Sequence, residues 1–84
     1  VGNSLDVNEV YDESVKVYPN PVSDVLYVNI EESFDAVVYN YQGSVVLRSC
    51  NNNGQIDMSG LSTGVYFVQI KTAKIVTIEK VVLK

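Results

Sequence analysis

The side chains that could carry out covalent chemistry in this 84-residue chain are its serines, its lysines and one cysteine, Cys50. The sequence contains no histidine, so neither a Ser–His nor a Cys–His nucleophile pair can form. A serine–lysine pair would require a buried lysine, whereas every lysine lies beside a turn or a chain end. Because no acid–base constellation is assembled, we predict that the chain is not an enzyme and has no catalytic or cofactor-binding residues.

Oxygen ligands for a metal ion would have to come from Asp24, Asp57 and the pair Glu31–Glu32. These acids do not follow the calcium-loop spacing, in which the ligands alternate along a short loop. Asp24 lies in a proline-rich turn, where a carboxylate usually accepts hydrogen bonds from backbone amides. We therefore predict no metal site. Cys50, as the only cysteine, cannot form an internal disulfide, and we expect a half-buried free thiol.

The negative charge is concentrated at the start of the chain. The formal net charge is −4, and four acids precede the first lysine, Lys16. They are Asp6, Glu9, Asp12 and Glu13. We interpret residues 1–14 as an acidic linker and residues 15–84 as one folded domain of near-neutral charge. Because this domain lacks a basic stripe, we do not expect it to bind nucleic acid.

The sequence shows neither a membrane-spanning segment nor a signal peptide at Val1. No apolar run reaches the roughly 20 residues that a membrane-spanning helix needs. If the chain is exported, we expect that its N-terminal signal was lost or lay on a longer precursor.

Turn signals recur at short spacing along residues 15–84, as is typical of a β-sandwich. The prolines Pro19 and Pro21 interrupt the first strand, Gln42–Gly43 indicates a hairpin, and Asn53–Gly54 indicates a tight turn. The alternating segments between the turns are Val15–Tyr18, Val25–Ile30, Ala36–Tyr41, Ser44–Arg48, Gln55–Met58, Val65–Lys71 and Ile75–Leu83. We predict an all-β, immunoglobulin-like antiparallel β-sandwich of about seven strands without a substantial helix.

The alternation also predicts which side chains share a face. These sets are Leu26, Val28 and Ile30, then Val37, Tyr39 and Tyr41, and then Tyr66, Val68 and Ile70. We expect Tyr39, Tyr41 and Tyr66 to fill the core or to pair across strands. Leu61, in a turn, is expected to tuck inward as a plug. Tyrosines outside these sets could serve as stacking platforms for sugars, and they are Tyr11, Tyr18 and Tyr27.

Three stretches of the sequence resemble, in the same order, the motifs of the type A C-terminal sorting domain of the type IX secretion system of Bacteroidota. The stretches are Tyr18-Pro19-Asn20-Pro21 with the following Asp24, Leu26 and Val28, then residues 56–70 (IDMSGLSTGVYFVQI), and finally Lys80-Val81-Val82-Leu83-Lys84. The resemblance covers residues 15–84. Two positions depart mildly from the pattern, since Met58 stands where leucine is usual and Asn40 where aspartate often precedes Gly43.

The resemblance implies that the domain belongs to the C-terminus of a larger cargo protein, which can itself be an enzyme such as a secreted protease. A signal peptide would carry the cargo across the inner membrane, and the domain would fold in the periplasm. The type IX outer-membrane shuttle would bind it, and a cell-surface sortase would remove it, leaving the cargo on the cell surface or secreted. No cofactor is implied.

The same resemblance suggests roles for individual residues. We expect the signal that is recognised to consist of Lys80, Val81, Val82, Leu83 and Lys84, read by β-strand addition at a free edge. The residues expected to shape the scaffold are Pro19, Asn20, Pro21, Asp57, Leu61, Gly64 and Tyr66.

Two other functions agree with the residues alone. A stand-alone immunoglobulin or fibronectin-like module that binds carbohydrate or protein would have exposed aromatic residues clustered at one end. A stabilising cap on a neighbouring catalytic domain would have a large apolar patch facing the linker. Independently of these alternatives, an unpaired last strand would allow the isolated domain to form an edge-strand homodimer.

Overall fold

The computed structural model describes residues 15–84, which contain seven β-strands and no helix. The strands are β1 (Val17–Tyr18), β2 (Val25–Val28), β3 (Phe34–Asn40), β4 (Val45–Asn52), β5 (Gln55–Asp57), β6 (Gly64–Lys71) and β7 (Val76–Leu83). The predicted all-β class is confirmed. The predicted acidic linker, residues 1–14, lies outside the described residues. Within residues 15–84, no helical segment could cross a membrane.

The strands form two antiparallel sheets. One sheet has the order β1-β2-β5 and the other has the order β4-β3-β6-β7. In the constant-type immunoglobulin arrangement, the fourth strand lies in the same sheet as the first, second and fifth. Here β4 instead lies beside β3, so the architecture is an immunoglobulin-like sandwich with three strands in one sheet and four in the other.

Two of the predicted turns are formed by glycines in a left-handed conformation. Gly43 (φ +88°) ends the turn that joins β3 and β4, where the side-chain oxygen of Asn40 accepts the N–H groups of Gln42 (2.9 Å) and Ser44 (3.0 Å). Gly54 (φ +78°) turns the chain from β4 into β5, which belongs to the other sheet. Both positions favour glycine because a Cβ atom would be strained there.

The core lies between the inner faces of the two sheets. On β6, the predicted alternation is confirmed, since Tyr66, Val68 and Ile70 are all buried. The remaining apolar side chains that are buried with them are Val15, Val22, Leu26, Val28, Phe34, Ala36, Val38, Ile56, Met58, Val81 and Leu83. Leu61 is partly buried against this cluster, as its predicted role as a plug requires.

The set predicted to share one face of β3 lies on the outer side of the sheet, and Tyr41 falls beyond the end of the strand. The residues that β3 buries are Phe34, Ala36 and Val38, so Val37 and Tyr39 lie on the outer face of the four-stranded sheet. Tyr39 pairs across strands with Phe67, whereas Tyr41 lies in the turn and is 75% exposed. From Ala36 to Tyr39 both faces of β3 carry apolar residues, and the alternation within this stretch therefore could not distinguish the inner face from the outer one.

Candidate recognition site at the C-terminal strand

The last strand, β7, lies at one edge of the four-stranded sheet and pairs with β6 along its whole length. Near its end, the side chains of Val81 (0% exposed) and Leu83 (3% exposed) enter the core. Those of Lys80 and Lys84 are exposed, and that of Val82 is half-buried. The five residues predicted to form the signal are thus divided between apolar anchors and outward-facing side chains.

The loop that follows β1 covers the outer edge of β7 at this point. The N–H of Val22 donates to the carbonyl oxygen of Val82 (2.8 Å), and the N–H of Lys84 donates to the carbonyl oxygen of Val22 (2.8 Å). Val22 and Leu83 form an isolated parallel bridge. The segment Asn20–Val22 therefore occupies the position of a neighbouring strand beside the end of β7.

The side chain of Asn20 extends this pairing by two hydrogen bonds. Its Nδ2 donates to the carbonyl oxygen of Lys80 (3.0 Å), and its Oδ1 accepts the N–H of Val82 (3.0 Å). An asparagine carboxamide carries the same donor and acceptor groups as a peptide unit. The side chain can therefore substitute for backbone where the two flanking prolines, which lack an N–H group, cannot donate.

Because of this arrangement, the free edge of the last strand does not lie where the sequence analysis predicted it. From the Lys80 carbonyl oxygen to the Lys84 N–H, the outward backbone groups are already bonded to Asn20 and Val22. Alternation along a strand directs the backbone groups of Val76 and Ile78 to the same outer side, where no further strand of residues 15–84 lies beside them. The open edge is therefore the first half of β7.

Val22 is the residue of this site that the sequence analysis did not single out. It is 1% exposed and belongs to the core cluster, although it lies outside the strands. Pro19 and Pro21, which precede it, are exposed and follow cis peptide bonds. The sequence feature that could have indicated its role is a single apolar residue directly after the segment that contains the two prolines.

Three of the predicted scaffold residues surround the start of β6, where it faces the end of β7. Tyr66 is buried, and its hydroxyl donates to the carbonyl oxygen of Ser62 (2.6 Å), four residues upstream. This contact resembles the tyrosine corner of immunoglobulin-like domains. Gly64 (φ +152°) pairs with Leu83, and the N–H of Leu61 donates to the carbonyl oxygen of Met58 (3.1 Å).

Asp57 lies at the end of β5 and organises the turn that follows. Its Oδ1 accepts the backbone N–H of Ser59 (3.0 Å). This backbone hydrogen bond lowers the pKa of Asp57 below its ordinary value, and a hydrogen bond from the Ser59 side chain lowers it further. Both bonds stabilise the charged carboxylate. Asp57 thus acts as a turn residue at the surface.

The remaining candidate groups lie apart from this site. Within residues 15–84, no group of three or more His, Cys, Asp or Glu side chains could hold a metal ion. Asp24 accepts the N–H of Val25 (2.6 Å), as its turn predicted. Cys50 is a free thiol, but it is exposed and not half-buried, because it shares the outer face of β4 with Arg48.

Two of the tyrosines considered as sugar platforms stack on each other. Tyr18 (51% exposed) and Tyr27 (39% exposed) are directly opposite on β1 and β2, with ring centroids 5.8 Å apart. Such pairs are a common way of stabilising neighbouring antiparallel strands. Their stacking accounts for both aromatic side chains without a ligand. Tyr11 lies outside the described residues.

Comparison with known proteins gives this geometry its context. A model of the secretion system C-terminal sorting domain matches residues 16–84. The chain is also 39% identical over 61 residues to beta-agarase D of Zobellia galactanivorans, a match that covers 73% of this chain but only 13% of that protein. Sorting domains act as export signals and are not themselves catalytic. The chain therefore belongs to the C-terminal sorting domains of the type IX secretion system.

Proposed function

We propose that this domain directs a larger protein through the type IX system across the outer membrane, and that Lys80–Lys84 are read there by the outer-membrane shuttle. The observation that carries the proposal is the display of Lys80 and Lys84 as exposed side chains on a strand whose alternate residues are buried. A fixed strand end of this kind offers the same surface on whatever protein precedes it.

The side chains, more than the backbone edge, are suited to this recognition. The outward backbone of this segment is already bonded to Asn20 and Val22. Lys80, Val82 and Lys84 project from the same face of the strand, with the two lysines about 13 Å apart at 3.3 Å per residue. Two ammonium groups beside a half-buried valine fit an acidic surface with an apolar centre, and such a pairing weakens as salt rises.

The scaffold residues support the signal from two sides. Asn20, which stands between Pro19 and Pro21, bonds to the outer edge of β7, and Gly64 pairs with Leu83 on the opposite side. The hydrogen bonds of Tyr66 and Leu61 fix the loop that leads into β6, and Asp57 fixes the turn after β5. We assign these residues to shaping the domain and not to contacting the shuttle.

The later steps follow from the same assignment. We propose that the domain folds in the periplasm during transit, and that a cell-surface sortase removes it from the cargo after export. The relative that matches over only 13% of its length is named as an agarase. By analogy, the cargo here is a secreted enzyme, and the sorting domain is the part that is cut off.

The proposal is tested by placing the chain at the C-terminus of a reporter with a signal peptide, in a bacterium that has a type IX system. The test variant is Lys80→Glu with Lys84→Glu, and the matched control is Lys71→Glu with Lys74→Glu. All four lysines are exposed, so neither double variant disturbs the core. We expect the first variant to retain the reporter in the cell and the control to export it.

Deleting residues 80–84 is a less specific test, because it also removes Val81 and Leu83 from the core. Equal export of the two double variants would refute the assignment of Lys80 and Lys84. Failure of the unsubstituted chain to export the reporter would refute the function itself.

We also propose that the isolated domain forms an edge-strand homodimer through the first half of β7. Val76 (44% exposed) and Ile78 (53% exposed) present apolar side chains beside the open backbone edge. Antiparallel pairing of two such edges about Thr77 would set Val76 of one copy opposite Ile78 of the other and would leave the Lys80 carbonyl oxygen bonded to Asn20. This register places exposed apolar side chains opposite each other.

A further inference from the structure

We infer that Asn20 is the positioning residue of the sorting signal: its carboxamide completes the outer edge of β7, and export depends on the order that it gives to Lys80–Lys84. The inference rests on the proposed function, and it adds that the first and last motifs of the domain act as one site. The two motifs are some 60 residues apart in sequence, yet they meet through both polar atoms of one side chain.

The geometry singles out asparagine at this position. The site needs a donor toward the Lys80 carbonyl oxygen and an acceptor for the Val82 N–H, both at 3.0 Å. Ionised aspartate accepts but cannot donate, and an alanine side chain does neither. Glutamine has the same groups on a longer stem, which would move the carboxamide away from this position. The neighbouring prolines cannot replace the donor, because they have no N–H group.

The consequence of losing this side chain should be local. Val81 and Leu83 would still be buried, and β7 would still pair with β6. The Lys80 carbonyl oxygen and the Val82 N–H would face water, however, and the strand end would open more often. Asn20 is itself exposed, so its replacement leaves no cavity in the core. Its effect on the signal should therefore exceed its effect on the fold.

The first experiment measures amide hydrogen exchange by NMR in the 84-residue chain. We expect Asn20→Ala to accelerate exchange of the Val82 amide about tenfold, which corresponds to the loss of one hydrogen bond. The amide of Val38, in the centre of the same sheet, should exchange as before. The control is Gln42→Ala, because Gln42 is an exposed amide side chain in the turn between β3 and β4. An unchanged rate at Val82 would overturn the inference.

The second experiment separates positioning from global stability, with the reporter export assay as the readout. Ile56→Val removes one buried methyl group from the three-stranded sheet, far in sequence from the signal, and serves as a destabilised control. We expect Asn20→Ala to export the reporter less well than Ile56→Val, even if its melting temperature is the higher of the two.

The outcomes distinguish the two proposals. If Asn20→Ala and Ile56→Val reduce export in proportion to their loss of melting temperature, Asn20 acts only through stability and the inference fails. If the unsubstituted chain exports nothing, the proposed function fails, and the exchange rates still decide whether Asn20 orders the strand end. If Asn20→Ala alone lowers export, both proposals are supported.

Discussion

The hydroxyl group of Tyr66 is expected to make a measurable contribution to the stability of the fold. The Tyr66 ring is buried with a fractional exposure of 7%, and its hydroxyl donates to the Ser62 carbonyl oxygen at 2.6 Å. Tyr66→Phe removes this hydrogen bond while it retains the ring that fills the core. A typical hydrogen bond contributes a net stability of about 1 kcal/mol. Because Ser62 is exposed and its carbonyl can bind water instead, we expect no further penalty from an unpaired acceptor.

Thermal unfolding of the 84-residue chain, followed by circular dichroism, measures this effect. For a domain of this size, a loss of about 1 kcal/mol lowers the melting temperature by roughly 4–8 °C. The matched control is Tyr41→Phe, since Tyr41 is 75% exposed and lies in the turn between β3 and β4. Its melting temperature should equal that of the unsubstituted chain.

Two results would contradict this reasoning. If Tyr66→Phe had the same melting temperature as the unsubstituted chain, the hydrogen bond from the hydroxyl to Ser62 would be no more stabilising than the hydrogen bonds to water that it replaces. If Tyr41→Phe lost as much stability as Tyr66→Phe, the effect would belong to tyrosine hydroxyls in general and not to the contact with Ser62.

Three further predictions concern the turn glycine, the surface acid and the open edge. Gly64→Ala should destabilise the domain by about 1–3 kcal/mol in chemical denaturation, because Gly64 has φ +152°. The control is Gly60→Ala, which should be close to neutral, since a Cβ atom at Gly60 would meet equally open space and the φ of Gly60 is not positive. Asp57→Asn should be less stable than the unsubstituted chain at neutral pH. This difference should vanish in acid-titrated unfolding as the pH falls through the lowered pKa of Asp57, and a constant difference would argue against the carboxylate. Ile78→Lys should shift the chain toward monomer in sedimentation experiments, whereas Val45→Lys on the opposite edge of the sheet should not. If the unsubstituted chain is already a monomer, the proposed dimer is refuted.

Local patterns in the sequence were sufficient to predict most strands and turns. The alternation in β6 predicted its buried face correctly, and the Gln42–Gly43 and Asn53–Gly54 signals predicted two turns. These features depend on residues close together in sequence, whose geometry follows from strand periodicity and from the backbone freedom of glycine. The three motifs, in their order, likewise identified the family that residues 16–84 match.

The inner face of β3 and the edge of β7 could not be assigned from local patterns. Val37 and Tyr39 alternate as clearly as Ala36 and Val38, and only packing against the other sheet decides which pair is buried. The assignment fails where both faces are apolar, because periodicity gives the spacing of a face but not its direction.

The sequence by itself determined the all-β class, the absence of the histidine pairs that many nucleophilic enzymes use, and the motifs at the two ends of the domain. Only the tertiary structure brought these motifs together, with Asn20 bonded to Lys80 and Val82, and with the open edge at Val76 and Ile78. The physical reason is that strand pairing at an edge joins backbone groups distant in sequence. Which groups remain free is therefore decided by the sandwich as a whole and not by any one strand.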